Sequence, residues 1–198
     1  MEKIGKTPKV LGLDISTKTI GWALFDIQSQ DLLELTHFSP KVKPKKEDKI
    51  DEMLVKADHF KNKLIDYKNV GITKVIIEEP LINSNNIRTV ATLMRYNSFI
   101  TRCIYDVLGI VPNFISTYNS RKFAFPNLVQ ENNKGRKVLF GGYEIGCDKK
   151  HIIWQQVSNI LPELSWSYTR NNTLKKENFD MCDAYTCVLG YMKQNQIW

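Results

Sequence analysis

The sequence predicts a single α/β domain in which helices flank a mixed five-stranded sheet. The N-terminal part holds apolar runs separated by short polar turns, a pattern typical of antiparallel strands. From residue 50 onward, segments with helical apolar spacing alternate with short apolar runs, and this alternation is typical of parallel strands joined by crossover helices. The chain has 198 residues, a length that suits one domain with its own core.

The first two predicted strands form a hairpin. Residues 10–13 are uniformly apolar, which predicts a strand buried on both faces, and Asp14 follows directly. A polar turn at 16–19 leads into a second strand at 20–26, and residues 32–38 predict a third strand. A carboxylate next to a buried strand is costly unless it is paired or binds a metal, so Asp14 is a candidate functional residue. Its alternative role is a hydrogen bond to the backbone of the turn.

The central part predicts two helices that alternate with two strands. Residues 50–67 carry apolar side chains at three- and four-residue steps, which predicts a helix. Residues 74–80 predict a strand that ends in two glutamates and a proline. The Asn- and Ser-rich segment 83–86 offers N-cap residues for a second helix over 87–108. Residues 113–118 predict the fifth strand.

The C-terminal part predicts a basic segment and two more helices. Residues 119–150 are less regular and combine basic with aromatic side chains, so we interpret them as an insertion within the domain. Such a mixture suits a nucleic-acid surface, with a plain solvated loop as the alternative. Helices are predicted over 149–161 and from about 179 to 193.

Charge and cysteine usage limit the class of protein. The net charge of +7 indicates a polyanionic partner, with nucleic acid first and an anionic membrane surface second. No run of 18 apolar residues is present, so no transmembrane helix is predicted. The four cysteines form no CxxC pair and have no zinc-ligand spacing with the three histidines, which favours reduced thiols. We expect a soluble protein of the cytoplasm or another reducing compartment.

Acidic residues at three places are expected to converge. Asp14 follows the first strand, Glu78 and Glu79 end a later strand, and Asp180 and Asp183 share one face of the last helix. Strand ends and facing helix ends meet at one edge of an open sheet. Clustered carboxylates raise their own pKa values unless cations lie between them, and Mg²⁺ prefers such oxygen ligands.

The spacing alone leaves alternatives for these acids. Strand alternation sends Glu78 and Glu79 to opposite faces, so only one of them faces the site, and spacing does not say which. Either glutamate is also explained as a strand-edge charge, and the two aspartates as partners of a helix N-terminus.

Three motifs in order carry a family resemblance: LGLDISTKTIGWALFD at 11–26, VIIEEPLINSNN at 75–86 and FDMCDAYTCVLG at 179–190. This order resembles the RuvC family of Holliday junction resolvases in the RNase H-like superfamily. The resemblance implies an RNase H-like fold and a homodimer that cuts four-way DNA junctions by paired phosphodiester hydrolysis, with no small-molecule cofactor. It selects Glu78 over Glu79 and implies that two Mg²⁺ or Mn²⁺ ions are held by the catalytic acids Asp14, Glu78, Asp180 and Asp183.

The resemblance also suggests residues that contact DNA. Lys149 and Lys150 lie upstream of the last helix, where family members carry basic residues, and Arg136 and Lys137 are further candidates for phosphate contacts. Leu81 takes the place of an aromatic wedge found in some members, and a leucine can also insert between bases. Lys18, in the turn after Asp14, completes the set of candidate nucleic-acid-binding residues. The helix over 87–108 is the candidate dimer face, and the Lys-, Asn- and Ile-rich composition suits a phage or viral member.

Three other functions fit parts of the sequence. The first motif alone also resembles the pre-16S ribosomal RNA nuclease relatives, which would change the substrate to structured RNA. A sugar-kinase or actin-like ATPase shares a strand-end aspartate, but that fold normally needs two such domains. A non-catalytic junction-binding module would keep the basic surface, and the intact acids argue against it.

Overall fold

A mixed five-stranded sheet forms the centre of the protein. The structure, a computed structural model, describes residues 7–42, 49–80 and 86–198. The strands are β1 (Lys9–Ile15), β2 (Ile20–Asp26), β3 (Leu32–Phe38), β4 (Ile72–Glu78) and β5 (Asn113–Ile115). Their order in the sheet is β3-β2-β1-β4-β5; β2 pairs antiparallel with β1 and β3, whereas β4 pairs parallel with β1 and β5. The predicted fold class is therefore confirmed.

Helices cover both faces of this sheet. They are α1 (Lys49–Ile65), α2 (Ile87–Leu108), α3 (Thr117–Ala124), α4 (Lys149–Ile160) and α5 (Lys176–Gln194). One hydrophobic core lies between the sheet and α1 and α2, and a second lies between the sheet and the three C-terminal helices. A small hairpin of β6 (Val129–Glu131) and β7 (Lys137–Leu139) connects α3 to α4. In the ranges described, no helix has the length and apolar character of a membrane span.

Strand alternation assigns the side chains of the central strands to these two cores. Val10 in β1 and Ile76 in β4 belong to the core on the α5 side. Ile77 belongs to the core beneath α1 and α2. Because successive side chains of a strand point to opposite faces, Asp14 and Glu78 emerge on the α5 side.

Two glycines let α5 approach the sheet closely. A Cβ atom on Gly12 would overlap the Ala184 carbonyl, and one on Gly21 would overlap the Asp180 carbonyl. Both glycines lie in the hairpin of β1 and β2, and Gly21 is the register partner of Asp14. The missing side chains therefore bring the backbone of α5 next to the strand that carries Asp14.

Several predicted boundaries were wrong by a few residues. The predicted fifth strand ends at Ile115 rather than at 118, because the Ser116 side chain accepts a hydrogen bond from the Asn119 N–H and begins α3. The first helix ends at Ile65 and the fourth strand at Glu78, each two residues earlier than predicted. The last helix begins at Lys176 rather than near 179, so Asp180 lies beyond its first turn.

The segment predicted to be irregular is folded onto the domain. Residues 119–124 continue α3, and the side chains of Phe125, Leu128 and Phe140 are buried in the core on the α5 side. Its tip, in contrast, exposes Arg136 and Ile145. The proposed wedge at Leu81, most of the N-cap segment and most of the basic linker lie outside the described residues; the remaining N-cap candidate, Asn86, caps α2 as predicted.

Candidate active site

The four predicted acids converge on the α5 side of the sheet. Asp14 in β1 and Glu78 in β4 lie on neighbouring parallel strands, one residue beyond the register pair Leu13–Ile77. Asp180 and Asp183 approach the same place from α5, one helical turn apart. Burial raises the pKa of Asp14 well above its ordinary value, and the charges of Glu78, Asp183 and Asp180 raise it further, so all four acids interact.

Burial and mutual repulsion also perturb the other acids. Burial raises the pKa of Glu78 to about 7, and the charge of Asp183 contributes to the rise. Burial raises the pKa of Asp180 to about 6, although the ammonium group of Lys150 opposes this rise. These directions identify carboxylates that are buried beside like charges, and such perturbed acids are found more often at functional sites than elsewhere.

Glu79 does not belong to this cluster. It follows Glu78, it is exposed, and it lines a separate cavity with Ser116 and Asn119. The structure thus places Glu78, and not Glu79, with the other acids, a choice that spacing alone leaves open.

Two basic side chains lie among the acids. Arg121 of α3 donates a hydrogen bond from Nη2 to Asp183 Oδ1 at 2.9 Å, and the two residues are 8% and 4% exposed. Lys150 of α4 places its Nζ 3.6 Å from Asp183 Oδ2 and 3.8 Å from Asp180 Oδ1. The Lys150 side chain is 51% exposed, so its ammonium group remains accessible to solvent.

Thr117 and Arg121 are site residues that the sequence analysis missed. The Thr117 hydroxyl donates to Glu78 Oε1 at 2.5 Å, while Glu78 Oε2 is buried and has no hydrogen-bond partner among the described residues. The predicted strand over residues 113–118 gives way to a helix that begins at Thr117, and this helix brings Thr117 and Arg121 to one face.

The acids have the chemistry of a Mg²⁺ or Mn²⁺ site without forming a coordination shell in this conformation. Carboxylate oxygens are the ligands that these ions prefer, and the unpartnered Glu78 Oε2 is such an oxygen. Within the part of the chain that the structure describes, no three His, Cys, Asp or Glu side chains are arranged to hold one ion. The residues present thus fit a divalent cation by donor type and charge, although their side chains are not arranged around one ion in this conformation.

A cleft of about 800 Å³ opens beside the acids and is lined by Asp180 and Lys150. Its wall includes the predicted residue Lys18, which is exposed. In total it contains five lysines and four acidic residues: Lys18, Lys41, Lys56, Lys150, Lys176, Glu52, Asp148, Glu177 and Asp180. Its volume and its exposed lysines suit a phosphate-bearing strand next to the acid cluster.

The other predicted DNA contacts lie away from the cluster. Lys149 is exposed and places its Nζ 5.8 Å from the centre of the Phe140 ring, so it is not part of the acid site. Arg136 and Lys137 are exposed on the hairpin of β6 and β7, and neither lines the cleft. Arg136 instead borders a separate cavity with Tyr143.

Solved structures with the same fold include RuvC resolvases. Thermus thermophilus RuvC in complex with a Holliday junction substrate is 9% identical, with a TM-score of 0.61 over 96% of this chain and 95% of that chain. A further Thermus thermophilus RuvC structure is 10% identical, with a TM-score of 0.56 over 94% and 96% of the two chains. The yeast mitochondrial Holliday junction resolvase Ydc2 is 13% identical, with a TM-score of 0.61 over 99% and 82%.

These similarities concern the fold. No protein-family model and no curated protein sequence matches the chain. At 9–13% identity, the structural likeness shows that this chain has a RuvC-like, RNase H-like fold over nearly its full length.

Proposed function

We propose that this chain is a metal-dependent endonuclease that resolves four-way DNA junctions by paired phosphodiester hydrolysis. One observation carries the proposal: on a RuvC-like fold, Asp14, Glu78, Asp180 and Asp183 meet at a partly buried site beside a lysine-lined cleft. The fold alone does not define an activity, so the acids and the cleft provide the functional argument.

The four acids are the groups that would hold the metal. When bound, two Mg²⁺ or Mn²⁺ ions would supply an activated water and stabilise the leaving oxygen of the phosphodiester. Glu78 and Asp180 must lose their protons for this role, and their pKa values of about 7 and about 6 allow this near neutral pH. Lys150 is half exposed at the edge of the acid cluster, where its ammonium group can contact a backbone phosphate.

Binding of the DNA backbone is proposed for the basic residues around the cleft. Lys18 and Lys150 line the cleft itself, and Lys149 directly precedes Lys150 in the sequence. We propose that Arg136 and Lys137, on the exposed hairpin, contact a more distant part of the junction. Because phosphate contacts release counterions, the double substitution Lys149→Ala/Lys150→Ala should weaken junction binding and flatten its salt dependence. Unchanged affinity and salt dependence would remove these two residues from the proposal.

A homodimer is proposed because two symmetric cuts need two sites. The predicted dimer helix is α2. Its side chains Ile100, Ile104 and Val107 are buried in the core of the domain, so this part of its apolar face cannot form the interface. Its other side exposes Met94 and Tyr105, which line an apolar groove of about 520 Å³. We therefore propose the groove side of α2 as the contact between two copies.

The deciding experiment is a cleavage assay on a labelled four-way DNA junction with Mg²⁺. Wild type is compared with Asp14→Asn and Glu78→Gln, and Glu79→Gln is the matched control because that carboxylate is exposed and lines a separate cavity. Paired nicks that both site variants lose and Glu79→Gln retains are the expected result. Cleavage of structured RNA in preference to the junction would instead identify structured RNA as the substrate. Junction binding without any cleavage would support the non-catalytic module instead.

A further inference from the structure

One face of the short helix α3 contacts two of the four acids. Thr117 donates to Glu78 Oε1 at 2.5 Å, and Arg121 donates to Asp183 Oδ1 at 2.9 Å. Residues four apart lie on the same helix face, so one helix reaches one acid on β4 and another on α5. Neither Thr117 nor Arg121 lines the cleft, so both contacts are separate from the lysines proposed to bind DNA.

Each contact fixes one carboxylate oxygen, and the second oxygen of each acid makes no hydrogen bond to α3. Glu78 Oε2 is buried without a hydrogen-bond partner among the described residues. Asp183 Oδ2 lies 3.6 Å from the ammonium group of Lys150, which is itself half exposed. A carboxylate with one oxygen held in a strong hydrogen bond has a defined orientation, and hydrogen bonds of this kind orient the ligands of metal sites in general.

Helix α3 is itself held firmly against α5. A Cβ atom on Gly190 of α5 would overlap the backbone of Ser120, so the two helices touch along their main chains. Ser116 caps the N-terminus of α3, and Lys193 donates to the Ala124 carbonyl near its C-terminus at 3.2 Å. Because α3 is held in place, Thr117 and Arg121 can hold the carboxylates of Glu78 and Asp183 in fixed orientations.

We infer that Thr117 and Arg121 are positioning residues that orient Glu78 and Asp183 for binding a divalent cation. The inference rests on the proposed function, because it assigns these acids as metal ligands. Neither residue needs to touch the cation or the DNA in this role. Their effect on activity passes through the second carboxylate oxygen of each acid, Glu78 Oε2 and Asp183 Oδ2.

The test measures binding of Mn²⁺ alone, in the absence of DNA, from the electron paramagnetic resonance signal of the free ion. Thr117→Val keeps the shape of the side chain and removes the hydroxyl donor, whereas Thr117→Ser keeps the donor. We expect Thr117→Val to weaken Mn²⁺ binding at least about 10-fold, and Thr117→Ser to bind nearly as wild type. Lys122→Met, on the same helix, is the control that should leave the affinity unchanged.

The outcomes separate this inference from the proposed function. If wild type binds Mn²⁺ no better than Asp14→Asn, the metal role of the acids fails, and the inference fails with it. If wild type binds Mn²⁺ and Thr117→Val binds equally well, the proposed function stands and the positioning role is wrong. A loss shared by Thr117→Val and Thr117→Ser would also overturn it, since the hydroxyl would then not be the cause.

Arg121 is tested by charge retention. Arg121→Gln removes the cation beside the buried Asp183 and is expected to weaken Mn²⁺ binding, and Arg121→Lys should restore part of the affinity. Circular dichroism verifies that each variant is folded. If Arg121→Gln does not fold, the Thr117 pair decides the inference alone, because those variants leave the Arg121–Asp183 ion pair intact. In single-turnover cleavage, folded variants should lose rate with little change in junction affinity, which a DNA-binding role would not produce.

Discussion

Replacing Glu78 by glutamine should stabilise the protein at high pH while it abolishes cleavage. The folded structure raises the pKa of Glu78 from its ordinary value of 4.5 to about 7, chiefly by burial and then by the charge of Asp183. The folded state therefore keeps this proton in a pH range where the unfolded chain has lost it. The contribution of protonated Glu78 to the free energy of unfolding is fully present below about pH 4.5, and it is lost as the pH rises through about 7.

The size of the effect follows from that difference. A pKa that moves from 4.5 to about 7 corresponds to roughly 3 kcal/mol, and most of this loss falls between pH 5 and pH 8. Glutamine does not titrate and can still accept the hydrogen bond from Thr117. The difference in free energy of unfolding between Glu78→Gln and wild type should therefore change by about 2–3 kcal/mol in favour of the variant as the pH rises from 5 to 8. In a domain of this size, that is a relative increase in Tm of roughly 4–12 °C.

The assay is thermal and urea unfolding of wild type and Glu78→Gln at several pH values, with EDTA present. Glu79→Gln is the control, because its carboxylate is exposed and outside the cluster. A difference between Glu78→Gln and wild type that stays constant from pH 5 to pH 8 would refute the reasoning, since Glu78 would then not titrate in that range. Addition of Mg²⁺ at pH 8 should stabilise wild type and leave Glu78→Gln nearly unchanged.

Three further predictions concern the metal, the packing and the assembly. Mn²⁺ affinity should increase at least about tenfold from pH 6 to pH 8 in a calorimetric titration, because Glu78 and Asp180 lose their protons there; a flat profile would contradict this. Gly21→Ala should lower the free energy of unfolding in urea by about 1–3 kcal/mol, because its Cβ would meet the Asp180 carbonyl; an unchanged midpoint would show that α5 can shift. Tyr105→Lys should convert a dimer into a monomer in analytical ultracentrifugation, and a monomeric wild type with and without DNA would end the dimer proposal.

The sheet could be predicted from the sequence because its strands have clear patterns and short connections. Residues 10–13 are apolar on both faces, and the buried positions of β1 match that pattern. The long helix α2 has its predicted bounds: Asn86 of the predicted N-cap segment caps one end, and in the structure Gly109, with a positive φ, ends the other. The strand–helix junction near residue 116 was not predicted, because Thr117 and Tyr118 favour strands by propensity while the cap at Ser116 starts a helix.

The acids of the site were easier to predict than their partners. Asp14 and Glu78 follow apolar strands, and strand alternation then gives their face, so their meeting follows from local pattern and sheet topology. Arg121 has no such signal, because a basic residue on a short helix is normally a solvated charge. Its burial depends on how α3 packs against α5, and that packing joins residues 62 positions apart in sequence.

The observed charges favour the proposed cation at the site. Four acids face two basic residues, and of these only Arg121 is buried and hydrogen-bonded to its acid. Lys150 is half exposed and approaches its acids no closer than 3.6 Å, so it neutralises them weakly. Burial is the main cause of the raised pKa values of Asp14, Glu78 and Asp180, and the negative charge of neighbouring acids adds to each rise. Removing Asp14, Glu78 or Asp180 should therefore relieve the folded state at high pH. Removing Arg121 should destabilise it, because Asp183 is 4% exposed and would lose its hydrogen-bonded cation, keeping only the half-exposed Lys150 at 3.6 Å.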